Sequence, residues 1–200
     1  MVCTLTSKGL ENSFGRKIIK KALKKAGYNK DSLRNKSILL CTLPKYGIEE
    51  VLTKAVIEEL GFARENVYIC SKEMERRVYD FVYVSEGNIY VLASFLLNEC
   101  DAENIIKESI KKGGYYIGAS AGAMLASTTI RFARDFDKSL AGAITDLHGL
   151  GLLDKTYGAT VFIPHYNRAE FERWKRLTPE IMEFEYGLVT NIPENGFRNF

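Results

Sequence analysis

The sequence predicts an α/β fold of three layers, α/β/α, with helices on both faces of a mostly parallel central sheet. Short, almost wholly apolar runs such as SILLCTL, DFVYVS and YYIGAS alternate along the chain with amphipathic stretches at helical spacing. These runs do not alternate polar with apolar residues, so a strand built from any of them must be covered on both sides, as parallel strands are. The length of 200 residues suits one domain with a full hydrophobic core, and residues 1–200 are expected to form a single unit.

VCTLT reads as the first strand. FGRKIIKKALKKAG follows, with apolar residues at helical spacing and lysines between them, the pattern of a helix with one solvated face. SILLCTL is a strand, and IEEVLTKAVIEELG is a helix whose final glycine, Gly61, suits a C-cap. NVYIC and DFVYVS are further strands, succeeded by a helical stretch from Asn88 to Cys100. DAENIIKESIKKGG is a helix with Asp101 placed to cap its start and glycines to end it. YYIGAS then runs straight into a helix-forming stretch. From Thr128 to Gly158 charges mix with glycines, which reads as loops and short elements over one end of the sheet. ATVFIPHYNR is another strand, AEFERWKRL a helix, and GLVTNIPENGF a last short strand with its exit loop.

Composition narrows the function. The 28 basic and 25 acidic residues leave a formal net charge of only +3, which gives no electrostatic support to a nucleic-acid partner. No uncharged apolar run approaches a membrane span, and MVCTLTSKG lacks a basic leader followed by an apolar core. Cys3, Cys41, Cys70 and Cys100 are widely separated and form no CxxC pair, so they read as free, buried thiols in a reducing compartment. A cytoplasmic protein is expected, without membrane association.

The stretch with chemical content is YYIGASAGAML. Gly118-Ala119-Ser120-Ala121-Gly122 fits the strand-turn-helix pattern G-x-S-x-G, in which a tight turn holds a serine hydroxyl above the strand ends. Small neighbours are a steric requirement of such a turn. The helix that follows aims its first N–H groups at a developing oxyanion, Ala121 foremost. A serine nucleophile needs a base, and the chain offers two histidines. His165 ends an apolar strand, where a parallel sheet would place it at the same edge as Ser120; His148 lies in TDLHGLG, without strand character. An acid must orient the base. Glu194 after the last strand, and Asp135 and Asp137 in the RDFD loop, are all candidates. Gly87, between the strand FVYVS and a helix begun by Asn88, can supply a second oxyanion donor.

These pieces resemble the peptidase E (aspartyl dipeptidase) family of serine peptidases, relatives of cyanophycinase. GASAGAML matches the nucleophile motif, SEGNIYVL the family's glycine-rich turn, TIRFARD the segment after the serine and IPHYNR the histidine motif, in the family's order. The resemblance implies a fold similar to class I glutamine amidotransferases and a Ser-His-Glu triad, with Ser120 as nucleophile, His165 as base and Glu194 as acid. Gly87 and Ala121 would then provide the oxyanion N–H groups. Asn88, Arg131 and Asp135 would contact substrate, with Asp135 the rival for the acid. Ser85 and Glu86 stand where the family turn usually carries further glycines, so an acidic substrate would meet the charge of Glu86.

The expected activity is hydrolysis of short peptides, Asp-X dipeptides among them, through an acyl-enzyme and without metal or organic cofactor, by a monomer or homodimer. A catalytically weak relative that binds a peptide or metabolite in the same cleft is the alternative. An amidotransferase-like amidase would place cysteine, not serine, at the turn.

Overall fold

The computed structural model describes residues 2–44, 47–133, 148–153, 160–166, 169, 172 and 188–200. Its strands are β1 (Val2–Thr6), β2 (Ile38–Cys41), β3 (Val67–Ile69), β4 (Phe81–Val84), β5 (Tyr115–Ala119), β6 (Thr160–Tyr166), β7 (Leu188–Pro193) and β8 (Phe197–Asn199). Its helices are α1 (Ser13–Lys25), α2 (Lys30–Arg34), α3 (Ile48–Lys54), α4 (Ile89–Ala93), α5 (Ala102–Lys111) and α6 (Ala121–Leu125). Helices α3 and α4 each run on into a wider π-helical turn, Ala55–Leu60 and Ser94–Glu99 respectively.

Six strands form one sheet in the order β3-β2-β4-β5-β1-β8. All neighbours are parallel except the edge pair β1–β8. The unbroken apolar runs have the expected consequence, because alternate residues of each strand feed two separate cores. Leu39, Cys41, Val82, Val84 and Tyr116 pack on one face beneath α4, α5 and α6. Ile38, Leu40, Phe81, Tyr83, Tyr115 and Ile117 pack on the other against α1, α2 and α3. Each face is sealed by large side chains, and burying a Leu, Ile or Phe stabilises the fold by about 1.5–3 kcal/mol apiece.

The glycine signals at helix ends hold, with Gly61 and Gly113 both at positive φ, and two caps come in addition to those read from sequence. Asn12 and Asn29 cap α1 and α2 by accepting backbone N–H bonds, and Gly61 ends the second long helix with φ 98°. Asp101 differs. It sits at φ 51°, makes no cap bond to α5 and spends its carboxylate on Arg76 and Asn104. The tight left-handed turn between two successive helices takes precedence over the cap there. The strand β8, which reads only as an exit loop in sequence, is drawn into the sheet by pairing Thr4 with Asn199 and Thr6 with Phe197.

Strands β6 and β7 pair with each other, in parallel, as a separate ribbon. Phe162 and Ile192 carry it onto the core face shared with α6, and Phe162 N–H donates to Ser127 Oγ at 2.9 Å. All four cysteines are buried and free. Among the described residues no helix is long and apolar enough to cross a membrane.

Candidate active site

The carboxyl ends of β4, β5 and β1 lie side by side in the sheet, the edge at which open α/β sheets collect functional groups. Ser120 terminates β5 at φ 49°, ψ −105°, a backbone state that non-glycine residues rarely adopt. Its N–H donates to Thr6 O at 2.9 Å, and Gly122 N–H donates to Ser85 O at 3.1 Å, so the turn is pinned to the ends of β1 and β4. The flanking glycines are dictated by space. A Cβ on Gly118 would lie 2.7 Å from Gly122 O, and one on Gly122 would lie 2.2 Å from Val84 O. Tyr116 OH closes the turn from below by donating to Gly122 O at 2.7 Å.

The ribbon brings the other groups to this turn. Ladder pairing between β6 and β7 shifts between Ile163 and Tyr166, where Pro164 has no N–H to contribute. That irregularity puts His165 at φ 54°. His165 Nε2 lies 2.8 Å from Ser120 Oγ, and its Nδ1 lies 2.6 Å from Glu194 Oε2. Glu194 follows β7 directly. The three side chains thus form a continuous relay of hydrogen bonds in which Glu194 faces the imidazole edge remote from the serine.

Two further residues touch the relay without having been suspected from sequence. Lys8 Nζ lies 2.5 Å from Glu194 Oε1. Ser7, fully buried, accepts from His165 N–H at 2.8 Å and donates to Ile192 O at 3.3 Å. Their only sequence signal is the small polar turn TSKG directly after an apolar strand. Burial pushes the Glu194 carboxyl up, but hydrogen bonds from Lys8 and His165 outweigh it and hold the group below its ordinary value.

The remaining candidates take varied places. Gly87 adopts φ 145°, a conformation that favours glycine. Ala121 is the first residue of α6, where the helix itself offers its N–H no partner. Asn88 caps α4, its Oδ1 accepting from Tyr90 and Val91 N–H at 3.0 and 3.2 Å. Glu86 turns toward the loop after β1, where its Oε2 accepts from Gly9 N–H at 3.1 Å. Arg131 is exposed shortly after α6. His148 is away from this cluster, its Nε2 3.3 Å from Glu103 Oε2 on α5. Asp135 and Asp137 lie outside the described residues, as do the helix expected at AEFERWKRL, apart from Ala169 and Glu172, and most of the stretch Thr128 to Gly158.

The family model for peptidase family S51 matches residues 44–196, a span that takes in the turn at Ser120, His165 and Glu194. The chain belongs to peptidase family S51. Within that family it is similar to an uncharacterized peptidase of Listeria monocytogenes, 31% identical over 128 residues that make up 64% of this chain and 57% of the relative. An uncharacterized peptidase of Listeria innocua is 30% identical over 135 residues, 64% of this chain and 60% of that protein. The chain therefore aligns with under two thirds of the length of these curated S51 relatives. Among solved structures, a candidate peptidase E protein of Listeria monocytogenes superposes with a TM-score of 0.63 at 26% identity, covering 96% of this chain and 90% of the other. A peptidase from an acI-B1 actinobacterium shares the fold, with a TM-score of 0.60 at 18% identity over 100% of this chain and 82% of that one.

Proposed function

We propose that this S51 family member is a serine peptidase acting on short peptides, Asp-X dipeptides among the candidate substrates, through a Ser120-His165-Glu194 triad. The observation that carries the reading is the relay itself: 2.8 Å from serine to imidazole, 2.6 Å from imidazole to carboxylate, on a strained turn before a helix. In this reading Ser120 Oγ attacks the scissile carbonyl carbon while His165 Nε2 takes the hydroxyl proton. The carbonyl π pair moves to oxygen, and the N–H groups of Ala121 and Gly87 stabilise the oxyanion. Collapse expels the amine, which receives the proton from His165 and leaves an ester on Ser120. Water, deprotonated by the same nitrogen, releases the acid product and restores the hydroxyl. Glu194 holds the imidazole's orientation and stabilises its cation at both steps.

For an aspartyl preference, Arg131, exposed shortly after α6, is the residue proposed to meet the substrate carboxylate, while Glu86 engages the Gly9 N–H of the neighbouring loop. Asp135 would meet the free amino group. The test is labelling with a fluorophosphonate followed by mass spectrometry of the Ser120 peptide, with a dipeptide-library screen in parallel. Label on Ser120 and release of aspartate from Asp-X dipeptides are expected. A protein that binds dipeptides, hydrolyses none and takes no label at Ser120 would be a binding member of the family instead.

A further inference from the structure

Base and acid ride on a ribbon that, among the described residues, shares no ladder with the sheet carrying the nucleophile, so contacts outside the ladders must set its position at the reacting atoms, in addition to the packing of Phe162 and Ile192 on the core. One dipeptide after β1 touches both. Ser7 Oγ bridges the backbones of β6 and β7, accepting from His165 N–H and donating to Ile192 O, two residues before Glu194. Lys8 Nζ takes Glu194 Oε1, the carboxylate oxygen that His165 leaves unused.

The dipeptide is itself rigidly held. Thr6 Oγ1 donates to Lys8 O at 2.7 Å, while Thr6 O accepts from Ser120 N–H. The next two N–H groups, of Gly9 and Leu10, donate to Glu86 Oε2 and Tyr83 OH at 3.1 and 2.9 Å. Helix α1 packs close against the loop, since a Cβ on Gly15 would lie 1.9 Å from Gly9 O. The same β1 end that fixes the serine backbone therefore also presents the hydroxyl and the ammonium that meet its partners.

We infer that Ser7 and Lys8 are positioning residues for the peptidase reaction: a clip that docks the histidine-bearing and glutamate-bearing ribbon onto the serine-bearing sheet. This rests on the triad proposed above. Ser7 holds His165 in its left-handed backbone state, which fixes where the ring starts. Lys8 fixes the second carboxylate oxygen, so Glu194 cannot swing about its last torsion and lose the Nδ1–H bond. Neither residue touches the reacting atoms. Their effect should fall on the rate of the chemical step and leave substrate binding unchanged.

The experiment is the kinetics of fluorophosphonate labelling at Ser120, separated into a maximal rate and a half-saturating concentration, with thermal melting as a control on folding. Lys8→Met should slow the maximal rate by about 10-fold or more, with half-saturation unchanged within about twofold. Lys8→Arg, which keeps a cation able to reach the carboxylate, should recover most of the rate. Ser7→Ala should act in the same sense as Lys8→Met; if it does not fold, the lysine pair decides alone. Lys8→Met labelling at the parental rate, or a loss that Lys8→Arg shares in full, overturns the clip while leaving the serine peptidase standing. A parent protein that takes no label at Ser120 overturns the peptidase reading and the clip with it.

Discussion

Ser120 and His165 meet at 2.8 Å although they are 45 residues apart and belong to two sheets that, among the described residues, share no ladder. If they act as one unit, their loss is not additive. Ser120→Ala should lower kcat by about 10³-fold or more, His165→Ala by a similar factor, and the double variant should be little worse than either. His148→Ala, at a residue engaged with Glu103, should turn over like the parent. Hydrolysis of the best dipeptide from the library screen measures all four. Full activity in Ser120→Ala would remove serine from the mechanism.

Glu194→Gln keeps the size of the side chain and removes its charge. The imidazolium formed in each step would lose its counter-ion, and kcat should fall by roughly 10²–10⁴-fold with KM changing far less. Asp135→Asn should instead raise KM and alter selectivity. Steady-state kinetics on both variants separates the roles, and the opposite pattern would transfer the acid's role to Asp135.

The tight turn at Ser120, an elbow between β5 and α6, makes a purely steric prediction. Gly122→Ala would drive a methyl to 2.2 Å from Val84 O, a backbone atom at the carboxyl end of a central strand. Since neither side can yield cheaply, the variant should lose about 1–3 kcal/mol of stability. Urea unfolding followed by tryptophan fluorescence or circular dichroism would read it, and a parental midpoint would contradict the packing described.

A half-buried acid just after the Ser7–Lys8 loop predicts a pH dependence. Burial pushes the Glu11 carboxyl from 4.5 up to about 7, Glu86 adding to the rise and the bond from Tyr83 OH opposing it. Between those values the folded chain retains a proton that the unfolded chain has released. This group therefore leaves stability untouched below about pH 4.5 and lowers it progressively as pH rises to about 7, by about 3 kcal/mol in all. Glu11→Gln should flatten that decline and be more stable than the parent at pH 8. Unfolding midpoints at pH 5 and pH 8 test it, and equal slopes for the two proteins would refute the assignment.

The parts legible in sequence are those governed by local rules. Apolar runs announced two-faced strands and glycines announced the elbow; the strand carrying His165 was legible too, but not that it would pair with β7 in a ribbon apart from the sheet that ends at Ser120. Glu194 could be ranked above Asp135 only through family resemblance, because loop carboxylates carry no local mark of what they face. Strand β8 was hidden for a related reason: three residues, FRN, become a strand by pairing with β1 and by the Thr4–Asn199 side-chain bond of 2.8 Å. Ser7 was less visible still, since it meets His165 across 158 positions of chain.

The elbow glycines answer to the carbonyls of Gly122 and Val84, and those carbonyls would be in the same place in a chain that had lost its base. A genome search keyed to G-x-S-x-G would therefore collect everything that folds this way, including descendants that no longer cut anything. Under the triad and clip proposed above, the discriminating letters lie elsewhere: a serine and a basic residue after the first strand, a histidine after a proline at the bulge, and a glutamate following the last parallel strand. A pattern built from those separated positions is the one to test for sorting working hydrolases from look-alikes.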